Sequence, residues 1–233
     1  NNSWGLFNRD DDAPVGSPEN YSANPDHPFS QIVGSLVAAG ADVLFAAGNC
    51  GENCPDGRCG LNDIGPGASI HGANSHPSVL TVAAITVRNQ RLGYSSQGPG
   101  GLDKRKPDIA AYSHFSGSGV YKADGGTSAA SPVAAGVVAA LRQCWPKMTP
   151  ADMKGIIQKS AKPVGTGWNY ELGYGILNAA KAWRAAKEHV TRRAPLRKPR
   201  KKETPGQRPA WMLEPCTPEE IASYAARLKR KSR

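Results

Sequence analysis

The stretch that most constrains this chain runs over residues 127–141, where no side chain carries a charge. Two glycines precede it, Gly125 and Gly126, and glycine permits backbone angles that other residues avoid. A helix that is apolar all round belongs inside a domain rather than on its surface. We therefore predict a buried helix that begins beside Ser128 and has Pro132 in its first turn, where the missing N–H of proline is tolerated.

Ser128 is predicted to lie where the unpaired N–H groups and the positive end of this helix meet. Such a place suits a nucleophile, because attack on a carbonyl creates an oxyanion that N–H groups stabilise. A serine or threonine at a helix start is also ordinary capping. Residues 126–132 read Gly-Thr-Ser-Ala-Ala-Ser-Pro, which resembles the nucleophile motif Gly-Thr-Ser-x-Ala-x-Pro of the subtilisin-like serine proteases, or subtilases. The resemblance implies that Ser128 is the nucleophile and places Thr127 among the substrate-binding residues.

A second element is the apolar run Val-Leu-Phe-Ala-Ala at residues 43–47, which Gly48 and Asn49 follow. Its length and the breaker at its end predict a strand, and ligands of an α/β sheet bind beyond such strand ends. In subtilases an asparagine at this point donates its side-chain amide to the oxyanion, so the resemblance gives Asn49 that role; a turn-forming asparagine is the other interpretation. The resemblance also puts Ala46, Ala47 and Gly48 on the wall of the pocket for the substrate residue before the cut.

Two further strings near the site fall in the order of the family. Residues 2–5, Asn-Ser-Trp-Gly, resemble the strand end along which a bound peptide lies, so Ser3 and Gly5 are expected to pair with the substrate main chain. Residues 94–99, Tyr-Ser-Ser-Gln-Gly-Pro, resemble the family's Phe-Ser-Ser-x-Gly-Pro turn, with tyrosine in place of phenylalanine.

Two more strings extend the resemblance toward the end of the chain. Residues 106–111, Lys-Pro-Asp-Ile-Ala-Ala, resemble the start of the segment Lys-Pro-Asp-Val-x-Ala-Pro-Gly, whose Pro-Gly is replaced here by Tyr112 and Ser113. Residues 173–179, Gly-Tyr-Gly-Ile-Leu-Asn-Ala, match the closing string Gly-x-Gly-x-Val-Asn-Ala. The resemblance therefore covers residues 1–183.

The hydrophobic periodicity favours the same class of fold. Apolar residues repeat at helical spacing from Phe29 to Val37, and Thr149 is placed to cap another helix. The runs at residues 43–47 and 79–85 are apolar on both faces, as in a covered parallel sheet. We predict that residues 1–183 form part of a three-layer, subtilisin-like α/β domain with a mostly parallel central sheet.

The general base for Ser128, and the carboxylate that orients the base, are missing from these strings. In subtilases they lie in Asp-Ser/Thr-Gly and His-Gly-Thr motifs that precede the Ser3 region, and this chain starts at Asn1. We therefore expect the C-terminal part of a catalytic domain, inactive or poorly active by itself. Asp63 and His71 precede Ser128 in a fitting order, but they share one glycine-rich segment, and surface positions are predicted for all five histidines.

The charge is concentrated at the end of the chain. Residues 184–233 carry 15 Lys and Arg against 5 Glu, whereas the charges of residues 1–183 balance. This composition predicts a largely disordered basic tail with a short helix at residues 218–230. Such a tail is either a solvated extension or a contact for a polyanion, meaning nucleic acid, an anionic membrane or an acidic protein.

Cys50, Cys54 and Cys59 lie within ten residues of one another, directly after Asn49. Zinc would need a fourth ligand and usually takes Cys-x-x-Cys spacing, so a disulfide between two of the three is the better interpretation, with the pairing open. Many subtilases bind calcium, but no position in the acidic residues 8–12 matches well enough to assign a ligand. No metal ligand or cofactor is therefore assigned, and calcium rests on the resemblance alone.

Taken together, these observations predict a serine endopeptidase that hydrolyses polypeptide substrates through an acyl-enzyme, with this chain supplying the nucleophile half of the site. The alternatives are a non-catalytic peptide-binding module of the same fold and an interaction platform led by the basic tail. No run of about 18 apolar residues occurs, so no membrane span is predicted. The compartment is open, with a secreted location preferred because subtilases are commonly secreted.

Overall fold

The structure, a computed structural model, describes residues 1–193. Its centre is a sheet of three parallel strands in the order β1-β2-β3, which are β1 Leu44–Ala46, β2 Leu80–Ile85 and β3 Ile109–Tyr112. Leu44 pairs with Leu80, and Val82 pairs with Ile109. Every residue of β1 and β2 is buried, as expected for parallel strands that are covered on both faces.

Two isolated residue pairs extend the sheet beyond its three strands. Asn2 forms a parallel bridge with Phe45 of β1, and two main-chain hydrogen bonds of 2.9 Å hold it there. At the opposite edge, Ile176 forms a parallel bridge with Ala110 of β3. The segment at residues 2–5 therefore runs alongside β1 toward the carboxyl end of the sheet.

Helices lie on both faces of the sheet and produce the three layers that the sequence predicts. Helix α1, Pro28–Ala38, packs Val33 against Phe45 and Val79 on one face. The other face carries the main core and three helices, which are α2 Gly126–Cys144, α3 Pro150–Ser160 and α4 Ala179–Arg193. Alternate strand residues point to alternate faces, so Leu44 meets α2 while Phe45 meets α1. None of the helices within residues 1–193 is long and apolar enough to cross a bilayer.

Helix α2 differs from the prediction in two respects. It begins at Gly126, so Pro132 is its seventh residue and lies inside the helix rather than in the first turn. A proline there removes one N–H from the helix ladder, and the Ser128 carbonyl that would accept it receives the Ser3 hydroxyl instead, at 3.1 Å. The helix is also buried on one face only, because the sheet covers one side; within the described residues the other face exposes Pro132, Gly136, Ala139 and Ala140.

Helix α4 extends past the predicted boundary between residues 183 and 184. It includes residues 184–193, which the charge pattern assigns to the basic tail. Ala182 and Ala186 are fully buried in the main core, so the helix is held by packing although its outer face is charged. The remainder of the predicted tail, with its helix at residues 218–230, lies outside the described residues.

A buried charge cluster joins β2, the start of β3 and α3. Lys106 and Asp108 are 0% and 1% exposed, and their side chains meet at 2.7 Å. The Asp108 carboxylate also accepts the Thr81 N–H and the Gln158 amide, both at 2.7 Å, and pairs with Lys154 at 2.9 Å. Burial lowers the pKa of Lys106 to about 8, although the Asp108 charge opposes this shift. The lysine and aspartate of the Lys-Pro-Asp string therefore act inside the fold rather than at the cleft.

Candidate active site

The start of helix α2 presents three successive N–H groups, of which two are taken by side chains. Gly126 N–H donates to the Tyr94 hydroxyl at 3.0 Å, and Thr127 N–H donates to Asn49 Oδ1 at 2.9 Å. The N–H of Ser128 donates to no other atom within residues 1–193. Gly126 has a φ of +74°, a left-handed conformation that favours glycine, and it turns the chain into the helix.

The side-chain amide of Asn49 is oriented by Thr127. Oδ1 of Asn49 accepts both the N–H and the hydroxyl of Thr127, at 2.9 and 3.0 Å, and the same hydroxyl accepts the Gly48 N–H at 3.1 Å. Because the oxygen is held in this way, Nδ2 points away from Thr127, and it meets no acceptor in the described part of the chain. Nδ2 lies beside Gly126, where a Cβ would be 3.2 Å away. Two unengaged N–H donors, those of Asn49 Nδ2 and Ser128, thus stand at one helix start.

Ser128 is exposed and forms a reciprocal pair with Ser3. Its hydroxyl donates to the Ser3 carbonyl at 3.2 Å, while the Ser3 hydroxyl donates to the Ser128 carbonyl at 3.1 Å. Ser131, three residues further along the helix, is buried and donates to Asn1 Oδ1 at 2.7 Å. These contacts fasten residues 1–3 to helix α2.

One open cleft of about 350 Å³ contains every site residue predicted from the sequence, namely Ser3, Gly5, Ala46, Ala47, Gly48, Asn49, Thr127 and Ser128. Asn74 links its two sides, because Nδ2 donates to the Trp4 carbonyl at 2.7 Å and to the Ala46 carbonyl at 2.9 Å. A Cβ on Gly5 would lie 2.8 Å from that nitrogen, so the close approach requires glycine. The sequence analysis did not predict the seven other lining residues, which are Trp4, Leu6, Phe7, Cys50, Ser69, His71 and Asn74. Only the residues adjacent to a motif carried a signal in the sequence.

His71 lines the cleft but is not the surface residue that the sequence predicts. It is 6% exposed, and its Nε2 lies 3.0 Å from Oδ1 of Asp63 without the alignment of a hydrogen bond. Burial, reinforced by the charge of Arg9, lowers the pKa of His71, and the opposing charge of Asp63 does not reverse this. The Arg9 guanidinium forms an ion pair with Asp63 and so balances the charge of the carboxylate, which also accepts the Arg9 main-chain N–H at 3.0 Å. Within residues 1–193 no hydrogen bond joins His71 to Ser128, so Asp63 and His71 do not complete a triad.

The disulfide that the sequence left open joins Cys50 and Cys59 and closes a loop with a separation of nine residues. Cys54, inside that loop, is an exposed thiol. Because Cys50 follows Asn49 directly, the cross-link restrains the chain next to the amide that lines the cleft.

The acidic segment at residues 8–12 uses one of its carboxylates to organise a loop. Asp12 accepts the N–H groups of Ala13, Tyr21 and Ser22 at 2.8–2.9 Å. Burial would raise the pKa of Asp12, but these hydrogen bonds outweigh it and lower the pKa. Within the described residues no group of three or more His, Cys, Asp or Glu side chains is placed to hold a metal ion.

Comparison with known proteins gives one family for most of the described residues. A profile of the Subtilase family, peptidase family S8, matches residues 1–175. Subtilisin E of Bacillus subtilis (strain 168) is 29% identical over 181 residues, which are 77% of this chain and 42% of subtilisin E. The membrane-bound transcription factor site-1 protease of Homo sapiens is 31% identical over 175 residues, which are 68% of this chain and 15% of that protein. The chain thus spans about half of a subtilisin, so these matches establish the family rather than the activity of a whole enzyme.

Solved structures show the same fold. The self-cleaved protease domain of PatA has a TM-score of 0.52 at 20% identity, over 72% of this chain and 57% of that one. MycP1 from Mycobacterium smegmatis also has a TM-score of 0.52, at 22% identity over 68% of this chain and 45% of that one. The family match over residues 1–175 shows that this chain belongs to the Subtilase family, and its parallel sheet and helix α2 agree with that assignment.

Proposed function

We propose that this chain supplies the nucleophile half of a serine endopeptidase active site. The Ser128 oxygen bonds to the substrate carbonyl carbon, and the carbonyl oxygen becomes an oxyanion held by the Ser128 N–H and by Asn49 Nδ2. The C–N bond then breaks, and a general base carries the Ser128 proton to the leaving amine. Water hydrolyses the acyl-enzyme in a second step.

The observation that carries the proposal is the pair of unengaged N–H donors. Of the groups at the start of α2, Tyr94 takes one N–H and Asn49 Oδ1 takes the next, which leaves the Ser128 N–H and Asn49 Nδ2 without acceptors in the described chain. Donors that are oriented in advance stabilise the charge that develops in the transition state. Thr127 already holds Asn49 Oδ1, so Nδ2 needs no rearrangement when the substrate arrives.

The proposed mechanism needs a general base for Ser128, and the described residues do not place one within hydrogen-bond distance of its hydroxyl. None of the histidines within residues 1–193 forms a hydrogen bond with Ser128, whose hydroxyl instead donates to the Ser3 carbonyl. A base that takes the Ser128 proton would have to replace this contact. The proposal therefore requires an imidazole from another part of the natural protein or from a partner.

The substrate is proposed to be a polypeptide that lies along residues 3–5. This segment continues from Asn2, which pairs with β1, and an extended peptide can add to the Ser3 N–H and the Gly5 main-chain groups, which have no hydrogen-bond partner within residues 1–193. The Ser3 and Trp4 carbonyls are already bound, by the Ser128 hydroxyl and by Asn74. The side chain before the cut would enter the cleft between this segment and residues 46–48, whose small residues leave room there. Contacts to the peptide main chain explain binding, but they do not by themselves select a substrate sequence.

The proposal is tested by labelling the full natural protein with a fluorophosphonate and locating the adduct by mass spectrometry. We expect an adduct on Ser128 that is lost in Ser128→Ala. Ser131→Ala is the matched control, because this serine lies in the same helix but its hydroxyl is bound to Asn1. A label that persists in Ser128→Ala, or that resides on another serine, would contradict the proposal.

A non-catalytic peptide-binding module is the second candidate. The observation that favours it is that the Ser128 hydroxyl is bound to the Ser3 carbonyl and forms no hydrogen bond with His71, although both residues line the cleft. This reading predicts that peptides bind to the full protein, as measured by calorimetry, that they are recovered intact, and that Ser128 is not labelled. Cleavage of any bound peptide would exclude it.

A further inference from the structure

The peptide groups of Gly126 are held from both sides by side chains outside helix α2. Its N–H donates to the Tyr94 hydroxyl at 3.0 Å, and its carbonyl accepts the Ser113 hydroxyl at 2.8 Å. The two side chains come from separate segments, the turn after β2 and the end of β3. Gly126 stands two residues before Ser128 and has a φ of +74°, so the direction of the helix start depends on how this residue is held.

The hydrogen bonds around Tyr94 form one closed network. The Tyr94 oxygen lies 2.9 Å from His114 Nε2 and 3.4 Å from the Ser113 oxygen. The Ser113 hydroxyl has a single hydrogen, which it donates to the Gly126 carbonyl. The Tyr94 oxygen already accepts the Gly126 N–H, so its own hydrogen is available for His114. Burial raises the pKa of Tyr94, so the phenol stays protonated and keeps this donor near neutral pH.

The two hydroxyls that meet at Gly126 are departures from the family strings. Tyr94 stands where the string has phenylalanine, and Ser113 stands where it has glycine. Neither phenylalanine nor glycine has a side-chain hydroxyl, so neither contact is available to a chain that follows the strings. The Tyr94 hydroxyl accepts the Gly126 N–H, and the Ser113 hydroxyl donates to the Gly126 carbonyl. Two departures that lie 19 positions apart in the sequence therefore act on the same residue.

We propose that Tyr94 and Ser113 are positioning residues that fix the peptide groups of Gly126 and thereby the direction of the Ser128 N–H. Neither residue lines the cleft, so their effect on a substrate is indirect. The next N–H, that of Thr127, is bound to Asn49 Oδ1, so a rotation at Gly126 would disturb both oxyanion donors together. The inference rests on the proposed function for its effect on rate, while the geometry of the clamp can be measured without it.

The experiment uses the full natural protein with Tyr94→Phe, Ser113→Ala and the double variant. Tyr112→Phe is the matched control, because this exposed tyrosine is next to Ser113 but its hydroxyl donates to Asn89 at 3.0 Å. Four quantities are measured. NMR gives the hydrogen exchange of the Gly126 amide and the Ser128 amide shift, and labelling kinetics with a fluorophosphonate give the maximal rate and the apparent affinity of Ser128 acylation.

Tyr94→Phe is expected to accelerate exchange of the Gly126 amide, to move the Ser128 amide shift, and to lower the maximal acylation rate about two- to tenfold. The apparent affinity for the reagent should stay unchanged, because the clamp does not touch it. Ser113→Ala should act in the same direction, and the effects in the double variant should be less than additive because the hydroxyls share one residue. Tyr112→Phe should change nothing.

The proposal is overturned if Gly126 exchange and the Ser128 amide shift are unchanged in Tyr94→Phe, or if they change while acylation keeps its wild-type rate. If the wild-type protein is not acylated at all, the proposed function fails, and the two amide measurements alone then decide the clamp. If Tyr94→Phe does not fold, the smaller change Ser113→Ala provides the same readouts.

Discussion

Replacing Asp108 with asparagine tests the buried charge cluster. The carboxylate is 1% exposed, and its oxygens lie 2.7 Å from Nζ of the fully buried Lys106 and 2.9 Å from Nζ of Lys154. Asparagine keeps the shape and one acceptor oxygen but removes the charge that offsets Lys106. Breaking a buried ion pair by removing one partner costs about 3–5 kcal/mol. For a folded unit of this size each kcal/mol shifts the Tm by about 2–4 °C, so we expect a loss of about 6–20 °C.

The assay is thermal unfolding at neutral pH, followed by circular dichroism. Asp11→Asn is the control, because Asp11 is exposed and has no ion pair within the described residues. Adding Lys106→Met to Asp108→Asn should recover part of the loss, since an apolar side chain of similar length removes the unpaired charge. A change in Tm below about 2 °C in Asp108→Asn would refute the reasoning, because the ion pair would then contribute less than about 1 kcal/mol.

Three further expectations concern other parts of the chain. Gly126→Ala should destabilise the fold by about 1–3 kcal/mol in urea unfolding, because its φ is +74° and the new Cβ would lie 3.2 Å from Asn49 Nδ2. Gly136→Ala is the control and should not destabilise the fold, because its new Cβ would meet open space. The pKa of Lys106 falls from 10.5 to about 8 on folding, so the unfolded chain binds more protons than the folded chain between these pH values. The free energy of unfolding should therefore rise with pH over this range. Lys106→Met should abolish the rise. If residues 184–233 bind a polyanion, binding of the full protein to heparin should weaken steeply as salt increases; salt-independent binding would exclude that contact.

The centre of the fold was predictable because its signals are local. The apolar runs before Asn49 and at residues 79–85 have strand length, and a parallel sheet covered on both faces requires such runs. The glycines before Ser128 and the uncharged run after it mark the start of helix α2. The structure brings these elements together at the carboxyl end of the sheet, where an α/β fold places its ligands.

The errors share a physical cause, which is packing between distant segments. Pro132 was expected at a helix start because proline favours that position, but the Ser3 hydroxyl satisfies the carbonyl that it leaves unpaired. His71 was expected at the surface because its neighbours are glycine-rich, but the contacts of Asp63 with Arg9 hold that segment inside. In helix α4, the buried Ala182 and Ala186 hold the helix against the core. Charged residues dominate the composition around them, so composition alone did not predict a packed helix.

The central claim is that Ser128 and Asn49 form one oxyanion site, and a crystal structure of the fluorophosphonate adduct of the full natural protein tests it most directly. The adduct should lie on the Ser128 oxygen, with its phosphoryl oxygen about 2.7–3.1 Å from both the Ser128 N–H nitrogen and Asn49 Nδ2. A phosphoryl oxygen that points away from these two donors, or an asparagine amide turned so that Oδ1 faces it, would contradict the claim.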